Sequence, residues 1–383
     1  MLNLRRLLLG ALCVFALLAR NQAPAGRTET LQRAAAFIQQ GDLASAENAL
    51  QSILKHAPHD PLALNLLGVV RLRQQNSAEA ADLFHQAIQT GRKAAGPHIN
   101  LALIDGADRP LEAVAELQEA LAIAPGDEQA VSLLRAIAKQ SAMNAIQSGG
   151  ENKAMAVLLK ARSVLPSDPE LLYDSGLVEY ESGAYQAADR SLTEALKLKP
   201  GYPEALYALA RTYLAESLAK PAEDQMRTYL AEKPNDPTAQ YGLGYILMAE
   251  QRIEEAKQAF ERSLALQPDQ TESIFQLGEI AAQQGQEGAA RDDFTKVLIR
   301  DPHHGGALTA LGVLAYRAAK YGEAKADFER AIESAPGYQK AHYYYALTLS
   351  RLGQREQAER EFTIAKGLQK EHGEEHHLPA AQP

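Results

Sequence analysis

Residues 169–202 read PELLYDSGLVEYESGAYQAADRSLTEALKLKPGY. Gly176 sits midway along a first helical stretch, and a glycine-containing turn follows at Gly183-Ala184-Tyr185. A second stretch carries Ala188, Leu192 and Ala195 before Pro200. Proline lacks a backbone N–H and clashes with the preceding turn, so it belongs at a helix boundary. The segment therefore predicts two helices joined by a tight turn. Moving outward from it, prolines stand at Pro166, Pro200, Pro234, Pro268, Pro302 and Pro336, each 34 residues from the last. A fixed period of this kind signals a repeat architecture.

Ten repeats follow the same plan. The second helix carries an early alanine in every one: Ala46, Ala80, Ala113, Ala154, Ala188, Ala222, Ala256, Ala290, Ala324 and Ala358. A large apolar residue follows four positions later, among them Leu50, Phe84, Leu192, Met226, Phe260, Phe294, Phe328 and Phe362. Mid first helix the residue is Gly or Ala, as at Ala34, Gly68, Gly176, Ala210, Gly244, Gly278, Gly312 and Ala346. Small residues let two helices approach, and the large one fills the space beside them.

This pattern resembles the tetratricopeptide repeat (TPR) family over Arg27 to His372. The resemblance implies an all-α, right-handed helical-repeat solenoid of about ten helix-turn-helix repeats. The tryptophan usual early in the family's first helix is missing; Leu172, Leu206, Gln240, Ile274 and Leu308 stand there instead.

The first three repeats span residues 27–126 and the remaining seven 127–372. Repeat three is irregular, with Gly96-Pro97 at its start and a short first helix ending near Asp105-Gly106. Glu128–Gln147 reads as one unusually long helix stopped by Ser148-Gly149-Gly150. Residues 373–383 show no periodicity and read as a disordered tail.

Residues 1–25 read as a secretory signal peptide, with an uncleaved membrane anchor as the alternative. Arg5-Arg6 precedes the apolar run Leu7–Ala19, and Ala23-Pro24-Ala25 offers small residues for cleavage. Thirteen apolar residues fall short of the about 20 that a spanning helix needs. The expected location is the periplasm or cell envelope, with membrane contact only through residues 1–25 if they are retained. Cys13 is the only cysteine and lies in this run, so the remainder has neither disulfides nor thiol chemistry.

The net charge of −9 and the lack of a Lys/Arg stripe argue against a nucleic-acid partner. Gly242-Leu243-Gly244 begins like a nucleotide-binding fingerprint but sits inside a helical stretch with no strand before it. No phosphate loop, nucleophile elbow or zinc-protease motif occurs. Asp292-Asp293 and the trio His372, His376 and His377 read as solvated polar positions, and His303-His304 falls at an inter-repeat turn. The expectation is no catalytic residue, no metal and no cofactor.

The family resemblance implies that first helices line a concave face. The fifth residue of repeats five to eight is then Tyr173, Tyr207, Tyr241 and Phe275, with Tyr343 in repeat ten. Tyr180, Arg211, Tyr245, Tyr316 and Arg317 lie about one or two turns further on. Tyrosine and arginine are residue types that interfaces favour, yet the same rings could serve as packing. Acids accompany them at Glu170, Asp174, Glu179, Glu181, Glu204, Glu272 and Glu279. The Lys/Asn pattern of chaperone-binding relatives is not found. The expected role is a non-catalytic scaffold holding a protein or peptide segment. The alternatives are an accessory chain of a polysaccharide or secretion machine with an enzymatic partner, and a self-assembling array.

Overall fold

A computed structural model of the chain describes residues 25–371 apart from residue 92. The export signal, the C-terminal tail and the three tail histidines fall essentially outside the described residues. Twenty helices and no strand occur among the described residues. No described helix is long and apolar enough to cross a membrane. The chain divides into two compact bodies, 1–199 and 200–383.

In the first body the helices pair as α1 (Ala25–Gln40) with α2 (Leu43–His56), and α3 (Pro61–Arg73) with α4 (Ser77–Thr90). Next come α5 (Ala95–Asp105) with α6 (Pro110–Ile123), α7 (Glu128–Ser148) with α8 (Glu151–Val164), and α9 (Pro169–Glu181) with α10 (Tyr185–Leu198). The second body holds α11 (Pro203–Ala215) with α12 (Ala219–Glu232), and α13 (Pro237–Ala249) with α14 (Ile253–Leu266). It continues through α15 (Thr271–Gln283) with α16 (Glu287–Arg300), α17 (Gly305–Arg317) with α18 (Tyr321–Ser334), and α19 (Gln339–Arg351) with α20 (Arg355–Glu371). This is an all-α array of helical pairs, as the period predicts.

Eight of the ten turns within pairs share one device. The residue ending the first helix's last turn adopts a left-handed conformation, and the next N–H bonds back five residues, as in Ala184 N to Glu179 O at 2.8 Å and Lys320 N to Ala315 O at 2.9 Å. Glycine supplies that conformation at Gly41, Gly183, Gly285 and Gly353, but Gln75, Ser217, Gln251 and Ala319 adopt it too, with φ between 57° and 65°. Repeat three lacks the device: α5 stops at Asp105, and Arg109 N bonds to Asp105 O at 2.7 Å instead. α7 runs for 21 residues against 13 or 14 for most of the other helices, burying Ala142 and Ala145 along its added length.

Within each pair the small residue of the first helix faces the large one of the second. A Cβ added at Gly68, Gly244, Gly278 or Gly312 would lie 2.5–2.7 Å from a ring carbon of Phe84, Phe260, Phe294 or Phe328. All four rings are fully buried. Where the small residue is Ala34 or Ala210 the matching large residue is Leu50 or Met226, also fully buried.

One carboxylate often serves both a helix start and a neighbouring repeat. Asp60 Oδ1 caps α3 by accepting from Leu62 and Ala63 N–H, while its Oδ2 accepts from Arg27 Nε on α1. Asp168 caps α9 in the same way and accepts from Arg135 Nε on α7 at 2.7 Å. In the second body Asp236 caps α13 and accepts from Tyr229 Oη on α12 at 2.6 Å. Buried Glu223 gathers Lys220, Arg227 and Arg252 within 2.8 Å. Burial opposes its ionisation, but these hydrogen bonds outweigh burial and bring the carboxyl down to about 2.

Two expectations follow. Gly278→Ala should cost about 1–3 kcal/mol by overpacking, and Phe294→Leu should cost roughly 1–3 kcal/mol through lost burial. The double variant should recover part of that loss, because the smaller side chain makes room for the new methyl group. Urea unfolding of all four proteins tests this, and strictly additive losses would rule out a size-matched pair.

The second concerns Asp174, buried on α9 at 6% exposure. Burial raises its carboxyl to about 7; Lys139 opposes the shift, and Glu170 and Asp168 add to it. Between about 4 and that value the folded chain holds a proton the unfolded chain has lost, so this group's contribution to stability declines as pH rises through the window. Asp174→Asn should remove the slope and raise the thermal midpoint at pH 8 relative to the unsubstituted protein. An equal midpoint difference at pH 4 and pH 8 would remove Asp174 as the cause.

Candidate functional site

The first helices bring the fifth residue of one repeat against the sixth of the next. In the first body Asn100 Nδ2 donates to Asn65 Oδ1 at 3.0 Å, both side chains being buried. In the second body the Tyr241 hydroxyl is hydrogen-bonded with the Gln276 side chain. This contact consumes part of the face that the sequence offers as a binding surface.

The fifth-place rings also lean on the large residues of their own second helices. Tyr241 lies 5.7 Å from Phe260, Phe275 5.7 Å from Phe294, and Tyr343 5.9 Å from Phe362. Tyr207 packs edge-on against Tyr229 at 5.4 Å. Tyr207 and Tyr241 are consequently only 2% and 7% exposed, so these two rings are packing elements. Burial accordingly pushes the Tyr241 hydroxyl well above its usual range. Tyr173 and Phe275 are half-buried, and Tyr343 is 43% exposed.

The remaining site residues divide in the same way. Tyr180 is buried against Tyr185, ring centres 5.4 Å apart. Arg211, Tyr245 and Tyr316 are half-buried, and Arg317 is exposed. Tyr316 sits among Tyr321 at 5.6 Å and Tyr344 at 6.3 Å. Of the acids, Glu170, Glu181, Glu204 and Glu272 are exposed, but Asp174 is buried and so is not part of an acidic surface.

Other contributors come from places the period does not flag. Lys340 Nζ on α19 reaches Glu279 on α15 at 3.5 Å, passing over α17. Gly305 and Gly306 leave α17 without side chains at its start; a Cβ at Gly306 would lie 3.0 Å from Phe275 Cζ. His304 caps α17, its Nδ1 accepting from Ala307 N–H at 3.0 Å, and its ring lies 5.0 Å from Phe275. A charged residue at the second place of a repeat was the available signal for Lys340; nothing in the sequence signals its partner. Asp293 pairs with Lys296 at 2.7 Å, on a solvated helix face. No group of three potential metal ligands occurs among the described residues.

Known proteins bear on this arrangement in three ways. Family profiles match the chain at residues 31–97 and 179–243 as tetratricopeptide repeat, and at 225–340 as cytochrome c-type biogenesis protein H TPR domain. No curated protein matches the chain as a relative. Among solved structures, PilF of Pseudomonas aeruginosa is 17% identical with a TM-score of 0.50, covering 56% of this chain and 98% of its own. MamA (41-end) from Desulfovibrio magneticus RS-1 is 23% identical with a TM-score of 0.41, covering 45% of this chain and 97% of its own. A tetratricopeptide repeat protein from Parabacteroides merdae is 17% identical with a TM-score of 0.48, covering 68% of this chain and all of its own. At these identities the likenesses speak to fold alone. With the size-matched helix pairs, the recurring turn and the three profile matches, the chain is a tetratricopeptide repeat protein.

Proposed function

We propose that the chain is a non-catalytic scaffold that holds a protein or peptide segment on its first-helix face. One observation carries the reading: after packing has consumed Tyr207 and Tyr241, the face still presents Tyr245, Phe275, Tyr316 and Tyr343 partly open to solvent. Aromatic rings of this kind give large contact area with few rotamers to freeze. Beside them the Glu279–Lys340 pair offers charge of both signs. The scaffold works outside the cytoplasm in this proposal, exported by Arg5-Arg6 and the apolar run Leu7–Ala19. The match of residues 225–340 to a cytochrome c-type biogenesis TPR domain favours a narrower second reading, a role in assembling c-type cytochromes. Unchanged haem-stained cytochromes in a deletion strain would dismiss that second reading.

Capture from envelope extract with the chain as bait, followed by mass spectrometry, identifies the partner. Tyr343→Ala should keep the thermal midpoint and lose most of the captured partner, since interface anchors cost about 2 kcal/mol or more on truncation. Tyr207→Ala should instead lower the midpoint, with a loss of roughly 3–5 kcal/mol as for a buried ring. Normal capture by Tyr343→Ala and Phe275→Ala would remove this face as the binding surface. Fractionation of cells tests export separately: full-length protein confined to the cytoplasm would refute it.

A further inference from the structure

The last two repeats each end the first helix on an arginine. Four guanidinium groups of earlier repeats are committed to carboxylates: Arg27 to Asp60, Arg71 to Glu47, Arg135 to Asp168, Arg252 to Glu223, Glu250 and Glu255. Arg317 and Arg351 stand at the same place in repeats nine and ten, the last residues of α17 and α19, and both are exposed. Arg355 follows at the start of α20, also exposed. Arg317 and Arg355 have no ion pair or hydrogen bond among the described residues. Arg351 makes one long contact, Nε to Tyr316 Oη at 3.4 Å, which leaves its terminal nitrogens free.

Beside Arg351 lies an aromatic cluster. Tyr316 packs on Tyr321 and Tyr344, and Tyr344 stacks on buried Phe328 at 6.3 Å. The cluster supplies apolar area next to Arg351. Cations also complement a helix C-terminus, worth about 0.3–1 kcal/mol. That does not account for the pair, because the equivalent residues of the three preceding repeats are Ala215, Ala249 and Gln283. The nearby acids are largely matched by lysines: Glu323 pairs with Lys320 at 3.3 Å and Glu329 with Lys325 at 3.8 Å, leaving Glu356 as the acid beside Arg355.

We propose that this turn edge binds an extended acidic segment of a partner protein, the guanidinium forks of Arg317 and Arg351 each taking one carboxylate. The planar fork matches a carboxylate with two parallel N–H···O bonds, which a lysine cannot do. Carboxylates two or three residues apart on an extended chain lie roughly 7–10 Å apart, the separation of neighbouring packed helices being about 8–10 Å. In a chain of net charge −9 a local cationic edge selects a short acidic stretch over a large acidic surface, which the rest of the molecule repels.

The inference rests on the scaffold reading and names the chemistry of its ligand. The probe is a fluorescein-labelled peptide of alternating glutamate and glycine, with a lysine-for-glutamate peptide as control, titrated against the full chain by fluorescence anisotropy. The acidic peptide should bind in preference, more weakly as salt is raised. The double variant Arg317→Gln/Arg351→Gln should bind about tenfold more weakly or worse with an unchanged thermal midpoint, and Arg317→Lys/Arg351→Lys should restore only part of the loss. Equal affinity for the two peptides, or a double variant that binds like the parent, would overturn the proposal. So would preferential binding of phosphatidylglycerol vesicles, or a self-association in sedimentation that the double variant abolishes. If the peptide fails while envelope capture still recovers a partner that Tyr343→Ala loses, the acidic-segment assignment falls and the scaffold stands.

Discussion

Everything in the array depends on how closely the two helices of a repeat can approach. The gap is set by one residue on the first helix and one on the second, and the sum of their sizes is nearly constant. Glycine faces phenylalanine in four repeats, and alanine faces leucine or methionine in others. The last repeat breaks the rule instructively. Ala346 faces Phe362, and that ring is half-buried, whereas Phe84, Phe260, Phe294 and Phe328 are fully buried. A methyl group occupies the place the ring takes elsewhere, and no further helix follows α20 among the described residues to cover it. Repeat five shows the opposite departure: Gly176 faces Leu192, and the leucine moves in until an added Cβ would sit 2.6 Å from its Cγ.

Much of this fold was legible because its determinants are local and repeated. A proline, a small residue and a large residue at fixed spacing specify where each helix starts and what it packs on. The turns were less legible. Gln75, Ser217, Gln251 and Ala319 take a left-handed conformation that sequence normally signals with glycine. The regular hydrogen bonding around them imposes it. The binding face was the least legible part, because a tyrosine in the fifth place serves packing and recognition with the same chemistry. Its exposure depends on neighbours a whole repeat away. Tyr207 is covered while Tyr343 is open, although the two occupy identical positions in the period. Asp174 misled for the same reason: its place on the helix suggested a solvated acid, and its burial comes from packing between repeats.

Charge is partitioned between two tasks. Some arginines tie one repeat to another, and Arg27 and Arg135 do so through Asp60 and Asp168, carboxylates already fixed by their own helix starts. Arg317 and Arg351 near the end of the array reach no carboxylate among the described residues, and Arg351 makes one long contact to the Tyr316 hydroxyl.

Asp60, Asp168 and Asp236 each use one oxygen to start a helix and the other to receive a side chain from an earlier helix. Without the earlier helix in place the second oxygen has no partner, and without the cap the carboxylate is not held to meet it. Nucleating a helix and docking it thus become one event. Helices in a linear array would otherwise fray individually, since each touches only its neighbours. Here the loss of one cap loosens the preceding repeat as well. Amide hydrogens across such a junction should then exchange with solvent as a single group, giving the array blocks of cooperativity longer than one 34-residue repeat.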